Sequence, residues 1–85
     1  MTREECVEAA GGDDELLFAD GYDDAIIGVA QRFNETFVCY DKQKVLKILM
    51  ERDDMTYEDA MEFFDFNIVG AFVGEKTPAF VDVSL

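Results

Sequence analysis

The sequence predicts an α+β fold: a small three-stranded antiparallel sheet with two main helices packed on one face and a short N-terminal helix. Three observations carry that prediction. Residues 25–33 and 36–40 are rich in β-branched and aromatic side chains and flank a two-residue turn. Residues 42–52 repeat apolar side chains at helical spacing behind Asp41. Residues 56–71 do the same behind Thr56, with acids in the first turn. At 85 residues the chain makes one domain, 1–85. A chain this short buries roughly 60–65% of its unfolded surface, so its stability is modest.

In chain order, Thr2-Arg3-Glu4-Glu5 has the form of a capping box. It starts a helix that runs to about Ala10 and stops at Gly11-Gly12. Residues 13–15 are a polar connector. Leu16-Leu17-Phe18-Ala19 is either a short strand or a helical turn, which periodicity does not separate. Asp20-Gly21 marks a turn. The first strand spans 25–33, with Gly28 as a bulge or close-approach point. Asn34-Glu35 is the turn, and 36–40 is the partner strand of a hairpin. In the helix from Lys42 to about Arg52, Val45, Ile48, Leu49 and Arg52 share a face that Leu46 and Met50 widen. Asp53-Asp54 interrupts it, and the next helix reaches Ala71. Residues 74–78 form a loop, and 79–83 form the last strand, completing the antiparallel sheet. Neither a repeat nor a low-complexity stretch occurs.

Charge dominates the composition. Twenty acidic residues face seven basic ones, without a histidine, for a formal charge of −13 beside 49% apolar content. That is far beyond what solubility requires, and the apolar content excludes a disordered acidic tail. Residues 1–24 carry a net −8, residues 25–50 a net +2, residues 51–66 a net −6 and residues 67–85 a net −1. Two acidic blocks therefore flank a mildly basic one, whose bases relieve repulsion within the fold. No apolar run reaches the ~20 residues of a membrane span, and the N-terminus lacks an apolar leader core. These features point to a cytoplasmic protein that does not engage membranes. Cys6 and Cys39 have no metal-like spacing and read as free thiols, with a disulfide between them as the alternative.

The last helix carries the candidate site. At 100° per residue, Tyr57, Ala60, Met61, Phe64, Ile68 and Ala71 share the side that packs on the sheet. Glu58, Glu62 and Asp65 follow at i, i+4 and i+7 on another side, with neighbouring Cβ atoms about 5–6 Å apart. Phosphates along a nucleic-acid strand are spaced on a similar scale, so such a row can imitate them to a basic groove. Acids on the outer face of a soluble helix are also its commonplace surface. Phe66 and Val69 project into the same acidic arc. Either they are covered, by the 16–19 segment or by a second chain, or they are apolar anchors inside a charged rim. The candidate partner-binding residues are accordingly Glu58, Glu62 and Asp65, with Asp59, Asp53 and Asp54 near them and Phe66 and Val69 as anchors.

Catalysis finds little support. There is no histidine to shuttle protons, neither cysteine has an activating base, and no carboxylate pair stands out from the rest. Asp20-Gly21-Tyr22-Asp23-Asp24 offers oxygen ligands of the sort calcium or magnesium takes but lacks the helix-loop-helix calcium pattern. The commoner explanation is a solvated turn, so neither a metal nor a cofactor is expected. Direct nucleic-acid binding is disfavoured, because Lys42, Lys44 and Lys47 are too few in this field.

From Asp20 onward the chain resembles a family of small acidic uncharacterised proteins of tailed bacteriophages and prophages. The resemblance rests on Asp20-Gly21-Tyr22-Asp23-Asp24-Ala25-Ile26-Ile27-Gly28, Tyr40-Asp41, Ile48-Leu49-Met50, Met55-Thr56-Tyr57-Glu58-Asp59-Ala60, Phe66-Asn67, Gly70-Ala71-Phe72-Val73-Gly74-Glu75 and Thr77-Pro78. It implies a viral origin and transfers neither an activity nor a site residue. The functional expectation is a phage-type inhibitor or adaptor that binds a host protein at a basic, nucleic-acid-binding surface, such as a restriction, CRISPR or nucleoid component. The alternative is a homodimeric structural or regulatory phage protein that joins through the aromatic helix end and the free sheet edge.

Overall fold

Residues 1–12, 15–71 and 76–83 are described by the structure, a computed structural model. The element order is α1 (Arg3–Ala9), β1 (Ile26–Arg32), β2 (Glu35–Asp41), α2 (Lys42–Arg52), α3 (Tyr57–Phe63) and β3 (Ala79–Val81). Local chemistry sets the helix starts. Thr2 and Glu5 form the reciprocal capping box of α1, Asp41 accepts the Lys44 N–H at the head of α2, and Thr56 accepts the Asp59 N–H at the head of α3. At the end of α1 the Gly11 and Gly12 N–H groups donate back to the carbonyls of Glu8 and Val7. Those two bonds are a Schellman closure.

The hairpin turn sits one residue earlier than expected. Arg32 pairs with Glu35, so the turn is Phe33-Asn34 and Phe33 leaves the strand. Thr36 therefore faces Gln31 rather than Phe33, a two-residue shift that leaves each side chain on its own face of the sheet. Phe33 adopts φ +55°, a left-handed conformation rare for a bulky residue, and is 92% exposed. Gly28, at φ +156°, follows a bulge at Ile27 where the register shifts.

The sheet order is β1-β2-β3, but the sheet is mixed rather than antiparallel. β3 runs parallel to β2, pairing Cys39 with Ala79, Tyr40 with Phe80 and Asp41 with Val81. The connection between β2 and β3, which includes α2 and α3, is long enough to return the chain in the same direction, and side-chain periodicity is blind to direction. The parallel register lays the Phe80 ring on Tyr40 at 5.5 Å and against the edge of Phe64 at 5.0 Å. The strand stops at Val81, two residues short of the expected end. Of the expected connector and loop, residues 13–14 and 74–75 lie outside the described residues.

Residues 16–19 form neither strand nor helical turn. Leu16 and Ala19 are buried, and the Ala19 N–H donates to the Tyr40 hydroxyl at 2.7 Å. The core joins Cys6 of α1, Val38 and Tyr40 of β2, Val45, Leu46 and Leu49 of α2, and Ala60, Phe64 and Ile68. Tyr57, expected on the packed side of α3, is half exposed instead.

Replacing Tyr40 by phenylalanine removes the acceptor of a buried N–H, at a cost of about 1–3 kcal/mol. Urea unfolding measures this loss, and hydrogen exchange at the Ala19 amide should accelerate with it.

Candidate protein-interaction site

Three residues spaced by four, Ala60, Phe64 and Ile68, seat the helical run that begins with α3 in the core. The run changes pitch on the way. After Phe63 the backbone forms a π-helical turn, Phe64–Ile68, and then a 3₁₀ turn, Val69–Ala71. A π turn places an extra residue in the helical repeat and occurs frequently at functional sites. Here Phe64 and Ile68 stay buried while Phe66, between them, is turned out to 76% exposure. Val69 is half exposed. The 16–19 segment, a candidate cover for both, packs beside Tyr40 instead.

Phe66 borders a surface groove of about 410 Å³, lined by Met55, Asp59, Glu62, Phe63, Phe66 and Asn67. The structure thus brings together three of the expected site residues, Asp59, Glu62 and Phe66. Met55, Phe63 and Asn67 are additions. Of these, Phe63 was signalled by the spacing, since residues 59, 62, 63 and 66 stand at i, i+3, i+4 and i+7 on one helical face. Glu58 and Asp65 are exposed beside the groove without lining it. Asp65 lies on the π turn, so the regular four-residue step of carboxylates joins only Glu58 and Glu62.

The two acids ahead of α3 have other duties. Arg52 forks onto Asp53 at 3.3 and 3.4 Å, and the Asp53 N–H closes the end of α2 on the Leu49 carbonyl. Asp54 makes the reversal into α3 at φ +55°. Among the described residues, no lysine or arginine forms an ion pair with Glu58, Asp59, Glu62 or Asp65. Lys42 instead pairs with Asp82 and Lys47 with Glu51, each at 3.9 Å.

The acidic turn at residues 20–24 is built differently. Arg3 donates through Nε to both carboxylate oxygens of Asp23 at 3.0 Å and through Nη2 to Asp20 at 2.9 Å. Its guanidinium lies over the Phe18 ring at 4.8 Å. From the other side Arg52 donates to the Gly21 carbonyl at 2.9 Å and to the Tyr22 hydroxyl at 3.3 Å. Two arginines therefore clamp this turn to α1 and α2. Asp20 and Asp23, two of the three carboxylates considered as oxygen ligands there, bind Arg3.

Cys6 is buried and Cys39 half buried, both as free thiols. Burial pushes each thiol above its ordinary pKa, which lowers the thiolate fraction and hence reactivity. No helix of the described residues is long and apolar enough to cross a membrane. No family model matches the chain, and neither a curated protein nor a solved structure matches it.

Gly21 holds φ +94°, and a Cβ there would stand 3.0 Å from Arg52 Nη1. Gly21→Ala should therefore destabilise the protein by about 1 kcal/mol or more, measured by thermal or urea unfolding.

Proposed function

We propose that this protein is a non-enzymatic binding protein that docks α3 and the turn following it onto a positively charged surface of a partner protein. One observation carries the reading. An aromatic ring is turned out to 76% exposure inside a rim of carboxylates that the chain's own described cations leave unpaired. An apolar centre with a polar rim is the anatomy of a protein interface, and exposed aromatics are its usual anchors. The net charge of −13 adds long-range attraction that speeds encounter with a cationic partner. Surfaces that ordinarily hold nucleic-acid phosphates have that charge. Because only Glu58 and Glu62 keep the regular step, the attraction rests on charge density and an aromatic anchor more than on a long phosphate-like row. The resemblance to phage-encoded acidic proteins makes the partner a host protein in the host cytoplasm, inhibited or redirected by occupation of its basic surface.

Self-association is the second reading, favoured by the exposed Phe33 at the hairpin tip and by β1 standing at a sheet edge. Light scattering at high protein concentration separates the two. A salt-resistant dimer that Phe33→Ala dissolves supports self-association, and a monomer removes it.

Affinity purification from host lysate at low and high salt tests the principal reading. Basic proteins should be retained at low salt and released at high salt. Against a partner so identified, joint Glu58→Gln, Glu62→Gln and Asp65→Asn should weaken binding about tenfold. Phe66→Ala should weaken it roughly thirtyfold, as a hot-spot aromatic does. Partners that are acidic or neutral, or indifferent to salt, would overturn the reading.

A further inference from the structure

We infer that the groove beside Phe66 takes an arginine side chain of the partner, with the guanidinium laid on the phenyl ring and bonded to Asp59 and Glu62. This rests on the docking role proposed above and specifies its chemistry. The groove supplies two carboxylates at i and i+3, two phenyl rings, the Met55 side chain and the Asn67 amide. Carboxylates at that separation stand about 5–6 Å apart at Cβ, a gap that a planar guanidinium can bridge with its several N–H groups.

The chain itself shows the arrangement working. Arg3 bridges Asp20 and Asp23, three residues apart on the 20–24 turn, with three bonds of 2.9–3.0 Å while lying 4.8 Å over Phe18. Arg52 repeats the combination with Asp53 and the Tyr22 ring at 5.1 Å. Lysine does less with similar groups: Lys42 sits 5.5 Å over Phe64 and reaches only Asp82, at 3.9 Å. The α3 groove has the acceptors and rings of the Arg3 site. All three arginines of the chain already lie over other rings, those of Phe18, Phe37 and Tyr22. The guanidinium that fits the groove therefore comes from another molecule. A basic protein surface supplies it, since arginine is the usual ligand of phosphate on such surfaces.

The test uses the ¹⁵N-labelled full-length protein and three end-blocked probe peptides. One alternates glycine with arginine, one replaces arginine by lysine, and one replaces it by citrulline. Saturable amide shifts at Asp59, Glu62, Phe63 and Phe66 are expected with the arginine peptide. Its affinity should exceed that of the lysine peptide by roughly fivefold, the contribution of one partly desolvated cation–ring contact. Citrulline should be silent. Phe66→Leu keeps apolar area but removes the ring, and should bring the arginine-to-lysine ratio close to one. Asp59→Asn with Glu62→Gln should abolish the preference as well. Equal affinity for arginine and lysine, or an unchanged ratio in Phe66→Leu, overturns the arginine assignment and leaves the acidic docking role standing. Shifts confined to Glu4, Glu5 and Glu8, with none on α3, overturn both.

Discussion

Tyr40 is the constraint on which the rest of this small fold depends. It lies fully buried on the central strand, and three separate segments are positioned by it. Its ring stacks on Phe80, which makes a three-residue strand worth adding to the sheet. Phe80 in turn meets the edge of Phe64 and so seats the helical run. Its hydroxyl accepts the Ala19 N–H and draws the otherwise irregular 16–19 segment into the core. Large aromatic areas of this kind supply what a short chain lacks in interior volume.

The position of Phe66 follows from that packing. With Phe64 fixed against Phe80 and Ile68 also buried, a residue midway between them is directed outward. The π turn accommodates both buried contacts and presents the ring beside Asp59 and Glu62. Interior packing and exterior display are thus two faces of one helical run, and a change at Phe64 would disturb both.

Where the cations sit matters as much as how few there are. Arg3 and Arg52 are used to clamp the 20–24 turn, and Lys42 helps tie Asp82, just past β3, to the head of α2. These contacts relieve repulsion where chain segments must meet. The acids of α3 belong to a helix that caps itself through Thr56 and is held by apolar contacts, so no cation is required to keep it in place. Its carboxylates remain available to a partner, and the field of a strongly anionic body directs cationic molecules toward them.

The helix starts were legible in the sequence because caps act within four residues: Thr2, Asp41 and Thr56 each work on a backbone N–H three positions on. So were the hairpin, the Gly28 irregularity and the exposure of α3's acids, which follow from local alternation and helical spacing. What required tertiary structure was everything decided by contacts distant in sequence. The parallel direction of β3 comes from Phe80 finding Tyr40, and the irregular path of 16–19 from the Tyr40 hydroxyl. Periodicity says which side chains want to be buried; only the packed interior says against what, and the backbone bends to satisfy it.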